Sequence, residues 1–267
     1  RIIIMNTLRS VFAVLLILFT SGSLLAQSGR EIIEESHLRS RLDGLESRST
    51  LEIHDGRGNV RVRETTMASR MFSDGPEKRV IVFISPADVK GTSMLIYDYK
   101  ARDDAMWIFL PALRKSRKIV STEKAKSFMG SEFTNGDLSI ESMDDFLYEI
   151  SGQESLDGTD CWKIIVKPVS KVISKELGYK EKILWVAKSD YMPRKSIIYN
   201  DKDVAIKELL YSGIKELDSK NQKYFIGEMK VKNLINNRYS LMRIEDLQYN
   251  PSVSEDYFTL SFLEKQL

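Results

Sequence analysis

The fold of this chain is decided by a stretch that runs from Trp107 to Asp137 and reads WIFLPALRKSRKIVSTEKAKSFMGSEFTNGD. It begins with a strand that is apolar on both of its alternating faces, and Pro111 ends the participation of that strand in a hydrogen-bonded ladder. A basic turn follows, and then a Phe-Met-Gly-Ser loop that closes on Asp137. A strand that is apolar on both faces needs either a second packed layer or a cavity filled by something apolar.

Outward from this stretch, apolar and polar residues alternate with period two in a long series of segments. The first is a hairpin around the polar turn at 55–59, and short polar loops join most of the others. Strands that follow one another without intervening helices form antiparallel meanders, and strand twist makes so long a sheet curl toward a closed or partly open barrel. The further strand candidates are 80–85, 94–99, 106–110, 117–121, 146–154, 161–168, 182–187, 194–200, 205–217, 224–234 and 240–249.

Helices are predicted near the two ends of the mature chain. Residues 30–47 place apolar side chains at helical spacing with charged residues between them, which is typical of an amphipathic helix on an apolar surface. The tail begins with Ser254, a favoured capping residue, followed by two acids, and predicts a short helix that docks through Phe258 and Leu263. The apolar stripe of the first helix consists of Ile33, His37, Leu38, Leu42 and Leu45.

Residues 1–26 have the pattern of a signal peptide. With the start at Met5, Arg9 precedes a short apolar run, and a small residue precedes a plausible cleavage site after residue 26. The run is short for a membrane span, but an uncleaved anchor stays an alternative because Leu24 suits the cleavage site poorly. No cysteine lies near that site, which excludes a bacterial lipoprotein anchor. We therefore expect a protein of the Gram-negative periplasm.

The charge balance argues against nucleic acid as a partner. The formal net charge of the chain is +2, and residues 1–26 hold two arginines and no acid, so basic and acidic side chains balance in the remainder. Cys161 is the single cysteine and cannot form a disulfide within the chain, so the folded state depends on a hydrophobic core. No repeat or low-complexity tract interrupts residues 27–267, which predicts a single domain.

Motifs of enzymes and metal sites are absent from the sequence. It contains no GxSxG elbow, no phosphate-binding GxxxxGK loop, no GxGxxG and no HExxH. Two histidines and one thiol are too few for a catalytic couple or a zinc site unless most ligands are carboxylates. The acidic pairs Asp103-Asp104 and Asp144-Asp145 flank predicted strands and are interpreted as solvated loop charges. We therefore expect a binding protein with no enzymatic activity, metal or cofactor.

Two features of the opening stretch are suited to binding. Arg114, Lys115, Arg117 and Lys118 form a basic hairpin connection, which is either a solvated turn that guards a sheet edge or a positive rim at the mouth of an apolar hollow. Such a rim suits an amphiphile with an anionic or carbonyl head group. The Phe-Met-Gly-Ser loop at 128–131 carries two large apolar side chains, which either dock or face a ligand or partner.

Four residues are expected to shape this region. Pro111 ends the strand, Gly130 and Ser131 complete the loop, and Asp137 closes it. Asp137 is close enough in sequence to pair with Arg114 or Arg117. Such a pair would hold the loop over the basic hairpin.

Several sequence blocks resemble the bacterial outer-membrane lipoprotein-sorting protein family, the LolA-like proteins often associated with RND-type (MMPL) exporters. The blocks are FISPADVKGT at 83–92, WIFLPALRKSRKI at 107–119, FMGSEFTNGDL at 128–138, YKEKILWV at 179–186, the pair Met192-Pro193 and DYFTLSFL at 256–263. They follow in order and span nearly the whole mature chain, so the resemblance is more specific than one block alone.

The resemblance implies a mainly β fold with helices, an incomplete antiparallel β-barrel whose hollow the helices cover, and a soluble periplasmic carrier of lipid-modified cargo. The basic hairpin is then the candidate rim or partner-docking surface. Trp107 or Phe109 is expected to face the hollow, and Phe128 and Met129 are expected to lie at its mouth. The candidate cargo-binding residues are Trp107, Phe109, Phe128, Met129 and Trp185.

Two functional hypotheses follow. In the first, the protein binds lipoprotein acyl chains or a similar amphiphile and moves this cargo between the inner membrane, or an RND/MMPL-type exporter, and the outer membrane. In the second, it is an accessory or regulatory module that docks on such an exporter and carries no lipid. Neither hypothesis identifies the outer-membrane acceptor.

Overall fold

The computed structural model describes residues 27–73, 75–99 and 104–265. Residues 1–26, with the predicted signal peptide, lie outside the described residues, and so does Asp103. Three helices and a series of strands make up the regular structure of the described part. The helices are α1 (Gly29–Ser40), α2 (Lys171–Leu177) and α3 (Leu260–Glu264). The strands are β1 (Gly44–His54), β2 (Val60–Met71), β3 (Glu77–Ser85), β4 (Ser93–Asp98), β5 (Ala105–Leu110), β6 (Lys115–Ile119), β7 (Phe146–Leu156), β8 (Thr159–Pro168), β9 (Glu181–Ala187), β10 (Pro193–Tyr199), β11 (Ala205–Asp218), β12 (Lys223–Asn233) and β13 (Tyr239–Tyr249).

These strands form one antiparallel sheet in the order β6-β5-β4-β3-β2-β1-β13-β12-β11-β10-β9-β8-β7. Every neighbour in that order is also a neighbour in sequence except β1 and β13, which pair the first and last strands of the described chain. The sheet is therefore an antiparallel meander, as predicted, and it is not closed. Its two edges are β6 and β7, so the chain between them, residues 120–145, must pass from one edge of the sheet to the other.

The sheet is curled, as its core shows. Laid flat at the usual strand spacing, its two edge strands would stand roughly 58 Å apart. One continuous apolar cluster nevertheless includes Ile119 of β6, Phe146 of β7 and Ile53 of the central β1. The buried Ile32 and Ile33 of α1 belong to the same cluster, so α1 covers the concave face. This arrangement is the predicted open half-barrel with a covered hollow.

The first helix is shorter than the sequence pattern predicts. Ser28 caps α1 because its hydroxyl accepts a hydrogen bond from the amide of Glu31 (3.2 Å) while the Glu31 carboxylate accepts one from the amide of Ser28 (2.6 Å). The helix ends at Ser40, and Gly44 opens β1. A Cβ on Gly44 would lie 2.1 Å from the carbonyl oxygen of Asn250, so only glycine permits this approach between the first and last strands.

The predicted helix at 30–47 was therefore wrong beyond residue 40. Leu42 and Leu45 are buried, as an apolar stripe requires, but they lie after the helix, and Leu38 is exposed. The short α2 was not predicted at all. Ser170 caps its N-terminus, since the Ser170 hydroxyl accepts a hydrogen bond from the amide of Ile173 (3.2 Å), and Gly178 caps its C-terminus in the left-handed conformation.

The C-terminal segment packs on the convex face of the sheet, opposite the hollow. Phe258 and Leu263 are buried there against Leu95 and Phe109, which confirms the predicted docking of the C-terminal helix. The Tyr97 hydroxyl also donates a hydrogen bond to the carbonyl oxygen of Phe258 (2.6 Å). Strands β3 to β5 are consequently covered on both faces, which is why they are apolar on both faces.

Candidate functional site: a covered hollow

A cavity of about 250 Å³ lies between the concave face of the sheet and the segment 120–145. Its wall is mostly apolar, with charged groups gathered at one end. The residues at that end are Arg41, Glu77 and Arg79, and Asp137 also belongs to the wall. The apolar lining comes from Leu42, Leu45, Leu51, Met67, Ile81, Phe128, Leu138, Ile140, Met192, Phe225, Ile226, Met229, Met242 and Ile244.

Strand alternation selects the lining residues. On β2, Thr65, Met67 and Ser69 face the cavity, and on β3 the cross-strand partners of this set, Ile81 and Arg79, do so as well. The residues between them, such as Ala68 and Val80, face the convex cluster under the C-terminal segment. Each strand thus contributes one of its two faces to the hollow because side chains alternate with period two.

The segment 120–145 closes the hollow and is anchored by its own aromatic residues. Phe128 and Phe133 are both buried in the concave core, and the Phe128 ring lies 5.7 Å from the ring of Phe83 on β3. The amide of Phe128 donates a hydrogen bond to the carbonyl oxygen of Phe133 (2.8 Å), which folds the loop back on itself. The Phe-Met-Gly-Ser loop therefore docks its apolar side chains on this chain.

Side chains of the sheet hold the covering segment along one side of the hollow. Arg63 of β2 donates a hydrogen bond to the carbonyl oxygen of Met129, and Arg79 of β3 donates one to the carbonyl oxygen of Leu138 (2.7 Å). The amide of Ile140 donates to the carboxylate of Asp98 at the end of β4 (2.9 Å). These hydrogen bonds provide partners for polar backbone groups of the covering segment that lie among apolar side chains.

Glu132 holds the same segment to the other half of the sheet. Its amide donates to the hydroxyl of Ser240 on β13 (3.0 Å), and its carbonyl oxygen accepts from the ammonium group of Lys207 on β11 (2.8 Å). Its carboxylate accepts from the side-chain amide of Asn233 (2.9 Å) and lies 2.9 Å from Nε of Arg238. Because the segment is attached to both halves, it spans the open side of the half-barrel.

The charged end of the cavity is a chain of buried ion pairs. The guanidinium of Arg79 lies 2.9 Å from the carboxylate of Glu77 and 3.6 Å from that of Asp98, while Nε of Arg41 lies 3.9 Å from Glu77. Burial raises the pKa of Asp98 to about 7, although Arg79 opposes the shift. For Arg79, burial alone would lower the pKa, but Glu77 and Asp98 raise it.

A second charged residue, the half-buried Glu141, holds the far end of the covering segment to β9. The Tyr179 hydroxyl donates a hydrogen bond to its carboxylate (2.9 Å), and the Lys182 ammonium group pairs with the other oxygen. Burial alone would raise the pKa of Glu141, but the charge and hydrogen bonds of Lys182 and Tyr179 lower it. The carboxylate is therefore ionised at neutral pH.

The structure divides the predicted cargo-binding residues between the two faces. Phe128 lines the cavity, and the half-buried Met129 packs against the same apolar cluster. Trp107 and Phe109 lie on the convex face under the C-terminal segment, so the prediction that one of them faces the hollow is wrong. Both faces of β5 are apolar, and only the packing partner shows which of them is concave. Ile108 packs on the concave side instead.

Trp185 also lies away from the cavity. It packs with Cys161 and Ala187 on the convex side of β8 and β9, and its indole Nε1 donates a hydrogen bond to the carboxylate of Glu154 (2.9 Å). The opposite face of β9 contributes Val186 to the concave core. Trp185 was assigned to the hollow from a strand that is apolar on both faces, the same ambiguity that affects Trp107.

The basic hairpin lies at the edge strand β6. Pro111 opens a single 3-10 turn there, and Arg114 follows in the left-handed conformation (φ 46°). Arg114, Lys115 and Lys118 are exposed, and Arg117 pairs with Glu123 at 2.8 Å. None of the four basic residues lines the 250 Å³ cavity. Their role as a rim or docking surface stays a prediction.

The predicted partner of Asp137 is also wrong. Its carboxylate accepts a hydrogen bond from the amide of Thr134 (2.7 Å) in a local turn, while Arg117 is paired with Glu123. Gly130 is left-handed (φ 76°), and the Ser131 hydroxyl donates to the carbonyl oxygen of Phe128 (2.7 Å), so both residues shape the loop. Asp137 still reaches the cavity as part of its wall.

Sequence reasoning missed the residues that carry most of the cavity wall. Arg41, Arg79 and the methionines Met67, Met229 and Met242 stand at alternating positions or next to a helix end, where nothing in the sequence separates concave from convex. A usable signal was the start of β3, where the charged residues Glu77, Lys78 and Arg79 lead directly into a buried apolar run. Charged residues at such positions require partners inside the fold.

The described residues contain no group of three His, Cys, Asp or Glu side chains able to hold a metal ion. Of the acidic pairs, Asp144 is bound by Arg30 at 2.8 Å, and Asp104 accepts a hydrogen bond from the amide of Tyr99 (3.1 Å). Among residues 27–73, 75–99 and 104–265, no helix has the length and apolar character needed to cross a membrane.

A curled antiparallel sheet, open at one side and closed over an apolar hollow by the chain that joins its edges, defines the LolA-like class of half-barrel proteins. Residues 75–265 match a family model described as an uncharacterised protein, and this match covers most of the chain. The chain belongs to that family. No curated protein is significantly similar to it.

Three solved structures are similar over nearly the whole described fold. A DUF1329 family protein from Desulfovibrio piger is 28% identical, with a TM-score of 0.80, over 88% of this chain and 97% of that chain. A putative outer membrane lipoprotein-sorting protein domain from Vibrio parahaemolyticus is 25% identical, with a TM-score of 0.80, over 89% of this chain and 98% of that chain. A LolA superfamily protein from Nitrosomonas europaea shares the fold alone, at 15% identity and a TM-score of 0.67 over 89% of this chain and 100% of that chain.

Proposed function

We propose that this protein is a periplasmic carrier that binds an acyl chain of a lipoprotein, or of a similar amphiphile, in the covered hollow. The observation that carries the proposal is the apolar cavity of about 250 Å³ enclosed between the concave sheet and the segment 120–145. A solved structure of the same fold, which covers 89% of this chain, is named as a putative outer membrane lipoprotein-sorting protein domain. The carrier would move its cargo between the inner membrane, or an RND/MMPL-type exporter, and the outer membrane.

The lining suits a flexible hydrocarbon chain. Methionine side chains adapt to irregular shapes, and Met67, Met229 and Met242 contribute to the wall beside branched aliphatic residues. Each methylene transferred from water into such a wall contributes about 0.8 kcal/mol. Binding would therefore be mainly apolar and depend little on salt.

The cavity volume limits what the closed arrangement can hold. At about 250 Å³ it is smaller than the ~300–1,000 Å³ usual for drug-sized ligands. Part of a single acyl chain fits that space better than several acyl chains do. A cargo with several chains would require the covering segment to move, and the bonds from Arg63, Arg79 and Glu132 would then have to open.

The periplasmic location rests on two independent supports. The relative from Vibrio parahaemolyticus is named as an outer membrane lipoprotein-sorting protein domain, and such proteins work between the two membranes. The sequence of residues 1–26 also has the pattern of a signal peptide. N-terminal sequencing of protein secreted to the periplasm of an expression host tests both, since cleavage after residue 26 is the expected result.

The carrier proposal is tested by ligand binding with two matched tryptophan variants. Native mass spectrometry of protein purified without detergent, and uptake of a fluorescent fatty acid, are expected to show a bound chain. Met229→Trp would fill the cavity and is expected to weaken uptake by at least about tenfold. Leu210→Trp, on the outward face of β11, is the control and is expected to leave uptake unchanged. A clean apo mass with no uptake would contradict the proposal.

One specific observation favours the second hypothesis, in which the protein docks on an RND-type exporter and carries no lipid. The tip of the basic hairpin exposes Leu113 (68% exposed) beside Arg114 and Lys115. If this tip docks on the periplasmic domain of an RND-type exporter, Arg114→Glu combined with Lys118→Glu is expected to abolish that binding while uptake of the fatty acid persists. Lys171→Glu combined with Lys175→Glu, on the exposed face of α2, is the matched control. Equal exporter binding by both double variants would contradict the docking role.

A further inference from the structure

A second cavity of about 380 Å³ adjoins the apolar one. It lies between α1 and residues 140–144 of the covering segment, and its wall carries more charged side chains than the wall of the first cavity. Arg41 and Ile140 belong to the walls of both cavities, so the two spaces meet at these residues. An amphiphile whose chain lies in the first cavity would therefore place its head group in the second.

Four carboxylates face the second cavity, and each already has a cationic partner in the described residues. Arg30 bonds Glu34 and Asp144, both at 2.8 Å. Glu141 is paired with Lys182, and Asp98 lies 3.6 Å from Arg79. A cationic head group would consequently find no uncompensated acid in this wall.

Two basic side chains of the same wall have no hydrogen-bond partner among the described residues. Nε of Arg41 is fully buried without a hydrogen bond, and the arginine side chain as a whole is 19% exposed. Its nearest carboxylate, Glu77, is 3.9 Å away and already lies 2.9 Å from Arg79. The imidazole of His37 also faces the cavity, and burial lowers its pKa, so it is a neutral hydrogen-bonding group at pH 7. A buried guanidinium N–H without an acceptor is costly unless something else supplies one.

We propose that the second cavity binds the anionic head group, a carboxylate or a phosphate, of the amphiphile whose chain occupies the apolar cavity, with Arg41 as the binding residue and His37 beside it. The inference rests on the proposed carrier function and assigns its ligand class. Arg41 stands where the chain would end and the head group would begin. A guanidinium matches the paired oxygens of a carboxylate or phosphate, and the site offers it no competing acceptor at hydrogen-bond distance.

The experiment compares probes that share one chain and differ in the head group. Delipidated full-length protein is titrated with myristate, tetradecyl phosphate, tetradecanol and inorganic phosphate, each below its micelle concentration, by isothermal calorimetry. Both anionic amphiphiles are expected to bind about 10- to 100-fold more tightly than tetradecanol. Inorganic phosphate alone is expected to bind much more weakly than tetradecyl phosphate, because it lacks the chain.

Variants of Arg41 separate a head-group contact from a structural role. Arg41→Met is expected to bring both anionic amphiphiles to the affinity of tetradecanol and to leave tetradecanol itself within about twofold. Arg41→Lys keeps the charge and is expected to retain part of the preference. Arg57→Met, in the exposed first hairpin turn, is the control for the loss of an arginine.

Three results would overturn the assignment. The first is equal binding of myristate and tetradecanol by the wild-type protein. The second is an equal loss of affinity for all three amphiphiles in both Arg41→Met and Arg41→Lys, which would indicate that Arg41 is purely structural. The third is inorganic phosphate binding as tightly as tetradecyl phosphate, which would indicate a site for free anions. If none of the three amphiphiles binds, the proposed carrier function itself is wrong. That outcome is distinct from equal binding of all three amphiphiles, which contradicts only the head-group site.

Discussion

Arg79 of β3 donates a hydrogen bond of 2.7 Å to the carbonyl oxygen of Leu138, on the segment that covers the hollow. The same guanidinium pairs with Glu77 and Asp98, whose side chains are almost completely buried. One arginine thus links the concave wall, its buried carboxylates and the cover of the cavity.

Replacing this arginine tests the link. Arg79→Met is expected to destabilise the protein by about 3–5 kcal/mol, because it leaves Glu77 and Asp98 buried without their partner. Urea unfolding measures the loss, and hydrogen exchange is expected to accelerate at residues 138–141 first. Arg57→Met should change stability by less than about 0.5 kcal/mol. Unaltered protection of residues 138–141 in Arg79→Met would show that the arginine does not hold the cover.

Two buried phenylalanines on opposite faces test which side of the sheet is the binding side. Phe128 and Phe109 are 1% and 0% exposed, so Phe128→Ala and Phe109→Ala are both expected to cost about 3–5 kcal/mol. Phe128→Ala alone enlarges the hollow and is expected to change uptake of the fluorescent fatty acid. If uptake changed only in Phe109→Ala, the binding site would lie on the convex face, which would contradict the proposal.

Asp98 predicts a definite pH dependence of stability. Its pKa in the folded state is about 7, well above its ordinary value of 3.8, so the folded state binds more protons than the unfolded state between these values. The contribution of this residue is therefore present at low pH and is lost as pH rises from about 4 to 7, at up to about 1.4 kcal/mol per pH unit.

Asp98→Asn removes the titration and keeps an acceptor for the amide of Ile140. We expect a flatter pH profile of the free energy of unfolding from pH 4 to 7 in this variant, measured by urea titration at each pH. Asp88→Asn, in the exposed turn after β3, should keep the wild-type profile. Identical slopes in Asp98→Asn and the wild type would contradict the assignment of the titration to Asp98.

The Phe-Met-Gly-Ser loop depends on backbone conformation at Gly130. Its φ is 76°, and an added Cβ would meet only the end of the Arg61 side chain, at 3.7 Å, so the cost of Gly130→Ala is conformational and is expected to be about 1–2 kcal/mol. Gly136→Ala in the same segment, where φ is not left-handed and a Cβ would make ordinary contacts at 3.5 Å or more, is the control, with an expected change below about 0.5 kcal/mol. Thermal unfolding of both variants checks the difference.

Most of the strands could be predicted from the sequence because period-two alternation and turn residues are local signals. The predicted range 161–168 corresponds to β8, and 205–217 corresponds to β11, each within two residues at its ends. The predicted first helix was too long at its C-terminal end for a tertiary reason. Leu42 and Leu45 fit a helical stripe, but the close approach of Gly44 to Asn250 commits that part of the chain to the first strand.

By itself, the sequence determined the antiparallel meander and the resemblance to the sorting-protein family, whereas the covering role of residues 120–145 became visible only in the folded chain. Only the tertiary structure decided which face of each doubly apolar strand is concave. Trp107 and Ile108 are adjacent in sequence and equally apolar, yet the first packs under the C-terminal segment and the second in the concave core. The reason is that alternation separates the two faces of a strand but does not show which face is concave. That depends on the pairing of β1 with β13 and on the segments that then pack against each face.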